Sequence, residues 1–500
     1  MELFDEFAAI VGETQVLVEG DLMAPFLTDW TGRFTGPAVC VVRPRDREEV
    51  AAVLAACSRH EQPVLPQGGN TGLVGGSVPG PPSNDPHLHM AGDDHMAVDD
   101  SAGDLQAVRP LVERPPVLMS LTRLNQLQPV SPDGQLLVGA GATLADVQRH
   151  ARAAGWMYGV DIAARDSATI GGTVATNAGG IRVCAFGMTR SQVVGLEVVL
   201  ADGTVLSRLE PLAKDNTGFD VTGLFVGSEG TLGVVTAVRL RLHRPPERST
   251  LALVGVEDYD EAMALVRVCS ADSRLLAAEV FDNTGLRAVC ELAALSMPLE
   301  RDDWPHILLI EIEASDMALP ESVDAVVAGD SADVARLWSY RERQSEAASL
   351  LAPRRGLRPA GDIERSNVHT FVADRPIQKL DVSLPPDLLQ AFHDQLVGLL
   401  TSLQQVSTFS IFGHLTDANL HIELAGVAPD DEGPTAAVLN LVAVHDGSIS
   451  AEHGVGRAKV DYLHLTRSPA DIAAMWTVKN ALDSAGLMSP GVLLPPVAAT

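Results

Sequence analysis

The chain has 500 residues, 46% of them hydrophobic, which is enough for two or three domains with real cores. A formal charge of −29 excludes nucleic acid and anionic membrane surfaces as partners, because phosphate binding needs a net cationic face. No apolar run approaches the roughly 18–20 residues of a membrane span, and Met1-Glu-Leu-Phe-Asp-Glu-Phe7 lacks the parts of a signal peptide, so a cytoplasmic location is expected.

In chain order, Ala38-Val-Cys-Val-Val42 reads as a strand, and residues 48–57 as a helix through Val50, Val53 and Leu54. The short strand Pro63-Val-Leu-Pro66 runs into a glycine-rich loop, Pro66-Gln-Gly-Gly-Asn-Thr-Gly-Leu-Val-Gly-Gly-Ser-Val-Pro79. Residues 80–117 carry Pro, Asp, His and Gly without apolar periodicity and are expected to form a mobile surface insertion. Gln135-Leu-Leu-Val-Gly139 is a strand, and Thr143 caps a helix to Ala154 with Asp146 three residues on. Leu196–Leu200 and Thr204–Leu206 form a hairpin around Asp202-Gly203, and Gly233–Leu242 alternates like a strand with one buried face.

Pro245-Pro246 closes this unit, which places a boundary near 248. Beyond it come a strand at 251–255, a helix at 258–270, a strand at 306–313, helices at 331–350 and 386–402, and a hairpin at 408–424. The expected fold class is therefore α+β, with the second half built on an antiparallel sheet.

A strand that enters glycines at 68, 69, 72, 75 and 76 lets backbone N–H groups approach phosphate oxygens closely. The spacing is neither a Rossmann fingerprint nor a Walker loop. Two further segments accompany it: Ser167-Ala-Thr-Ile-Gly-Gly-Thr-Val-Ala-Thr-Asn-Ala-Gly-Gly180 and Gly227-Ser-Glu-Gly-Thr-Leu-Gly-Val234. Together they point to an extended diphosphate-bearing ligand.

With Lys214-Asp-Asn-Thr-Gly-Phe-Asp220 between them, these segments resemble the FAD-binding domain of vanillyl-alcohol oxidase-type flavoproteins. Within that group the chain is similar to the FAD-linked D-2-hydroxyacid dehydrogenase family, the branch of the D-lactate, glycolate and D-2-hydroxyglutarate dehydrogenases. The resemblance implies an FAD-binding domain over 1–248 in two subdomains, a substrate or cap domain with a metal site over 249–475, and a C-terminal segment, 476–500, returning to the FAD domain. It implies cofactor contacts from Pro66, Gly68, Gly69, Asn70, Thr71, Gly72, Gly75, Ser77, Asp161, Ser167, Gly171, Gly172, Thr176, Asn177, Gly180 and Val234. Some relatives attach FAD covalently through a His or Cys near the first loop; none lies between Gln67 and Pro79, so non-covalent FAD is expected.

Gly413-His-Leu-Thr-Asp-Ala-Asn-Leu-His421 places His414 and His421 at the ends of a tight connection, and a turn after His414 lets both converge on one point. Ser448-Ile-Ser-Ala-Glu-His-Gly-Val-Gly-Arg457 adds Glu452 and His453. Two imidazoles and a carboxylate are a common ligand set for zinc or manganese with an open position. A single histidine is more often just a hydrogen-bonding residue. The resemblance makes His414, His421 and Glu452 ligands of a divalent metal, zinc before manganese, and His453 the catalytic base. It implies hydride transfer from a D-2-hydroxyacid to flavin N5, giving the 2-oxoacid. Arg341, Ser345 and Lys379 are the substrate-binding candidates; Arg341 and Ser345 stand at i, i+4, and lysine is scarce in this chain.

Three positions depart from the D-2-hydroxyglutarate dehydrogenases: Glu423 stands where they carry a small amide, Ala418 replaces a glycine, and Val492 ends Ser489-Pro-Gly-Val. The expected substrate is D-2-hydroxyglutarate, with D-lactate or another D-2-hydroxyacid as the alternative and Glu423 as a specificity residue. A zinc hydrolase using the same His/His/Glu set is the alternative of another class. Expected partners are a small 2-hydroxyacid and an electron-accepting protein or quinone, with a homodimer as a candidate assembly.

Overall fold

Three sheets carry the fold in a computed structural model that describes residues 3–80, 114–210, 212, 214–344, 377–428 and 430–496. The expected insertion at 80–117 lies almost wholly outside the described residues. The first sheet contains β1 (Val16–Leu17), β2 (Cys40–Val42), β3 (Val64–Gln67) and β4 (Val117–Ser120) in the order β1-β2-β4-β3. Its last three strands are parallel, and they are buried nearly throughout, as expected for strands covered on both faces. The helix Arg47–Arg59 packs Val50, Val53 and Leu54 onto it; Asp46 caps that helix by accepting from Glu49 N–H.

The second sheet is antiparallel, with β5 (Gln135–Gly139), β6 (Val193–Val199), β7 (Val205–Arg208) and β8 (Val234–Arg241) in the order β5-β8-β6-β7. The β6–β7 hairpin turns at Asp202-Gly203 as the sequence predicts, with Gly203 at φ 90°. Thr143 caps the helix Leu144–Ala153 through Asp146 N–H.

The third sheet is antiparallel throughout and has seven strands: β9 (Thr250–Val256), β10 (Arg274–Asp282), β11 (His306–Glu313), β12 (Ala325–Val327), β13 (Gln378–Ser383), β14 (Thr408–His414) and β15 (Asn419–Ala425). Their order is β12-β9-β11-β10-β14-β15-β13. Period-2 alternation gives this sheet two chemically different faces. Val280, Ile411, Leu420, Ile422, Leu380 and Val382 point toward the helices Tyr259–Cys269, Leu389–Ser402 and Gly433–Val444 and make the largest core. The residues between them, which include Glu279, His414, His421, Asp381, Glu423 and Lys379, share the other face.

The C-terminal segment returns to the first sheet. Val64 N–H donates to Leu487 O, Ser489 N–H donates to Val64 O, and Met488 is buried beneath that sheet. The helix Pro469–Leu482 is fastened by Lys479, whose buried ammonium donates to Thr231 O, Met488 O and the Asp483 carboxylate. Asp483 in turn accepts from Leu487 and Met488 N–H. Removing one half of a buried, hydrogen-bonded pair leaves the other charge uncompensated. Asp483→Ala is therefore expected to cost about 3–5 kcal/mol in urea unfolding; a loss below about 1 kcal/mol would show that Lys479 is not held as described.

Candidate active site

Sheet register builds the site. Glu279 stands opposite His414, Phe412 opposite His421, His421 opposite Asp381, and Glu423 opposite Lys379. The turn at Leu415–Ala418, with Ala418 at φ 48°, reverses the chain so that His414 and His421 fall on one face. The predicted hairpin thus brings these two histidines together.

All three imidazoles aim Nε2 at one oxygen. Glu452 Oε1 lies 3.5 Å from His414 Nε2, 3.5 Å from His421 Nε2 and 3.8 Å from His453 Nε2. Metal–ligand bonds of about 2.0–2.1 Å in a tetrahedron set ligand atoms about 3.4 Å apart. His414 Nε2 is also buried without a hydrogen-bond partner. Donor chemistry, spacing and this orphaned nitrogen fit a divalent ion held by His414, His421 and Glu452.

The opposite sides of the His414 and His421 imidazoles face carboxylates. His414 Nδ1 is 2.6 Å from Glu279 Oε1, and His421 Nδ1 is 3.5 Å from Asp381 Oδ1. Asp381 lies within 4.8 Å of His421, Glu452 and His453, a grouping of possible ligand atoms that does not include His414. Its oxygens are already committed: Oδ2 accepts from Ala451, Glu452 and His453 N–H, and Oδ1 from Asn419 Nδ2. Asp381 therefore orients His421 and the 451–453 loop rather than ligating.

These charges set the titration of the cluster. Burial alone would lower the His414 imidazole, but Glu279 and Glu452 outweigh it and raise it to about 10. Burial, with the neighbouring imidazoles, brings His421 down to about 3 despite Glu452 and Asp381. Burial opposes the charged form of Glu452, yet His414 holds it below the usual carboxylate range.

The glycine segments meet the same loop. A Cβ on Gly69 would sit 1.8 Å from Ser167 O, and one on Gly68 would sit 2.2 Å from Thr169 Oγ1, so the first two segments touch through bare backbone. Asn70, in the left-handed region at φ 53°, donates to Thr28 O and accepts from Ser77 Oγ. Thr71 is half-buried beside it, Gly72 is open, and Gly75 packs on the Phe34 ring. Thr176 Oγ1 donates to Gly172 O, Gly171 packs on Ala140, and Asn177 accepts from Arg190 N–H. Asp161 bridges Gly180. Pro66 lies in β3, while the Val234 side chain is buried in the core. Gly180 N–H donates to Glu452 Oε2 at 2.6 Å, and Glu229 of the third segment accepts from Val455 and Gly456 N–H. The loop carrying Glu452 and His453 is thus gripped by both glycine segments downstream of the first.

Of the substrate-binding candidates, Lys379 and Glu423 form an ion pair of 2.7 Å, and Lys379 also lies over Trp30. Arg341 is buried, donates from Nε to Glu279 Oε2 at 2.6 Å and stacks on Phe412. The helix predicted over 331–350 is described as Ser331–Glu342 with Arg343 as its C-cap, and residues 345–350, Ser345 among them, lie outside the described residues. Glu279 and Asp381 have no assigned role from the sequence, and Glu229 is there only as part of the third glycine segment. Glu279 had a signal, a lone acid inside the apolar run Leu275–Phe281, and Asp381 had one in sharing the face of Lys379.

The comparisons with known proteins bear on this arrangement. Residues 245–493 match the family model for FAD linked oxidases, C-terminal domain, and residues 38–108 and 103–208 match that for the FAD binding domain. The chain is 32% identical to the mitochondrial D-2-hydroxyglutarate dehydrogenase of Bos taurus, across 98% of this chain and 84% of that one. It is 33% identical to D-2-hydroxyglutarate dehydrogenase of Xanthomonas citri pv. viticola, across 93% and 91%. A putative mitochondrial D-lactate dehydrogenase of Schizosaccharomyces pombe is 30% identical, across 97% and 88%.

The chain belongs to the FAD-linked D-2-hydroxyacid dehydrogenase family.

It is an FAD-dependent oxidoreductase acting on CH–OH donors, and the hydrolase alternative falls away. In fold it resembles p-cresol methylhydroxylase, at a TM-score of 0.66 and 15% identity over 98% of this chain and 96% of that one. It likewise resembles 4-ethylphenol oxidase from Gulosibacter chungangensis, at 0.67 and 15% over 99% and 97%. These likenesses show the vanillyl-alcohol oxidase-type fold alone. Among the described residues no helix is long and apolar enough to cross a membrane.

The contact at Gly69 has a direct consequence. Gly69→Ala is expected to push the first two glycine segments apart and yield protein depleted of flavin, read as the ratio of flavin to protein absorbance. Full flavin loading would show that the close approach does not serve the cofactor.

Proposed function

We propose that this chain oxidises a D-2-hydroxyacid to the 2-oxoacid using non-covalent FAD, a divalent metal and an acceptor other than oxygen, with D-2-hydroxyglutarate as the first substrate to test. The observation that carries the reading is the convergence of His414, His421 and His453 on Glu452 Oε1, beside a backbone donor of the second glycine segment. Relatives at 32% and 33% identity named for D-2-hydroxyglutarate support the substrate. Their dehydrogenase names support a protein or quinone as the electron acceptor.

Bound FAD supplies the two-electron acceptor, and a bound zinc or manganese ion supplies charge that lowers the pKa of the substrate hydroxyl. The remaining work belongs to the chain. His414, His421 and Glu452 hold the ion, with Glu279 and Asp381 fixing the two imidazoles from behind. His453 takes the hydroxyl proton at Nε2. Its Nδ1 faces Asp381 Oδ2 at 4.0 Å, so the resulting imidazolium is met by a carboxylate. Lys379 and Arg341 supply positive charge for the substrate carboxylates; Arg341 makes no hydrogen bond from its Nη atoms among the described residues.

The Glu423–Lys379 pair favours a second reading, a D-2-hydroxyacid without a distal carboxylate, such as D-lactate. An ammonium already 2.7 Å from a carboxylate attracts a second anion weakly.

Anaerobic flavin bleaching over a series of D-2-hydroxyacids tests the function. D-2-hydroxyglutarate is expected to bleach the flavin fastest, and chelator treatment to abolish bleaching until zinc or manganese is restored. No bleaching by any D-2-hydroxyacid would sink the reading, and bleaching that survives complete metal removal would strip His414, His421 and Glu452 of the role given them. Glu423→Asn separates the two substrate readings. It is expected to raise kcat/KM for D-2-hydroxyglutarate over D-lactate by roughly 10–100-fold, the range set by one charge-assisted contact. An unchanged ratio would remove Glu423 from specificity.

A further inference from the structure

The third sheet carries a second cluster of the same donor types on its other face. β10 ends at Asp282 and β11 begins at His306, and the two residues pair directly. Alternation places both on the face of Val280 and Leu308, away from Glu279. His306 Nδ1 is 3.0 Å from Asp282 Oδ1, and His393 Nε2, from the helix Leu389–Ser402, approaches that same oxygen at 3.9 Å. One carboxylate oxygen flanked by imidazole nitrogens repeats the arrangement around Glu452. The two distances bracket the roughly 3.4 Å edge of a tetrahedral site.

Both imidazoles are more than nine-tenths buried, and neither nitrogen of His393 has a hydrogen-bond partner. The carboxylate of Asp394 stands off at 3.8 Å from His393 Nδ1. The Tyr259 ring packs on both imidazoles at 4.8 Å between centroids, and its hydroxyl is buried and unpaired as well. Unsatisfied buried polar groups are rare because each costs its desolvation without return. Here they gather in one place.

We propose that Asp282, His306 and His393 bind a second divalent metal ion, of the zinc type, at this end of the third sheet. Two imidazoles and a carboxylate suit that class of ion. Asp282 is partly exposed, which gives the ion a route in and leaves a position for water. The ion ties the helix Leu389–Ser402 to the β10–β11 end. Asp282 stands three residues along β10 from Glu279, which holds His414, so the staple also steadies the strand behind the candidate active site.

Metal counting tests the proposal. Chelator-treated holoprotein is reloaded with Co²⁺, gel-filtered and assayed for bound metal by mass spectrometry. Wild type is expected to retain about two ions per chain, and His393→Ala about one, with its flavin content and substrate bleaching kept. His421→Ala is expected to lose the other ion, and the combined variant to hold none. A count unchanged by His393→Ala, or emptied by His421→Ala alone, overturns the site. A single ion lost in His393→Ala but kept in His421→Ala supports it while removing the catalytic metal. Should His393→Ala fail to fold, anomalous diffraction at the cobalt edge from wild-type crystals decides the matter: a peak at Asp282 is expected, and its absence overturns the proposal.

Discussion

A buried carboxylate that accepts three consecutive backbone N–H groups holds the candidate site together. Asp381 Oδ2 takes the amides of Ala451, Glu452 and His453, and its Oδ1 takes Asn419. Burial penalises that charge, but the imidazoles of His453 and His421, the ammonium of Lys459 and these amides hold its pKa far below the usual carboxylate range. The consequence is geometric. The loop has its backbone pinned at Glu452 and His453, the residues proposed as metal ligand and base. Positions that must converge to within a few tenths of an ångström are set by main-chain bonds, not by long side chains.

The same loop is gripped from the other half of the chain. Glu229 accepts from Val455 and Gly456, and Gly180 donates to Glu452 Oε2. A Cβ on Gly179 would lie 2.7 Å from that same oxygen, and a Cβ on Gly180 would lie 2.1 Å from Asp161 O. Small residues in the second glycine segment therefore serve two ends at once. They leave room along the predicted cofactor path, and they let the carboxylate of a distant loop reach the main chain. On the proposed assignment, the flavin site and the hydroxyacid site meet at this contact.

Much of this was legible in the sequence because it depends on local rules. Alternation on β15 put His421 and Glu423 on one side, the short 415–418 connection returned His414 to them, and the glycine runs announced a ligand needing close backbone approach. What stayed hidden depends on sheet order. Glu279 becomes the partner of His414 only because β10 neighbours β14, a pairing across 135 residues that no periodicity encodes. Asp381 meets His421 through a β13–β15 pairing of the same kind. Arg341 is a substrate-binding candidate from its sequence, and the contact of its Nε with Glu279, across 62 residues, is one that helix periodicity does not encode.

Charge accounting then gives the metal site its physical reason. Among the described residues, Glu279 is matched by Arg341, Glu423 by Lys379, and Asp381 and Glu229 share Lys459. Three of the four lysines in the chain are spent inside the protein, two of them here, although its formal charge is −29. Among the described residues, Glu452 is paired only with imidazoles and with no lysine or arginine. It has the Gly180 amide and the imidazoles around it, and, against burial, the His414 imidazole is raised above its ordinary value by Glu279 first and Glu452 second. The proposed divalent ion would meet this deficit of fixed cations with two charges, with His414 Nε2 as one of its ligands. With the ion bound, the five carboxylates and three cations of this set would sum to neutral, which would lessen the repulsion an anionic hydroxyacid meets in the field of the whole protein.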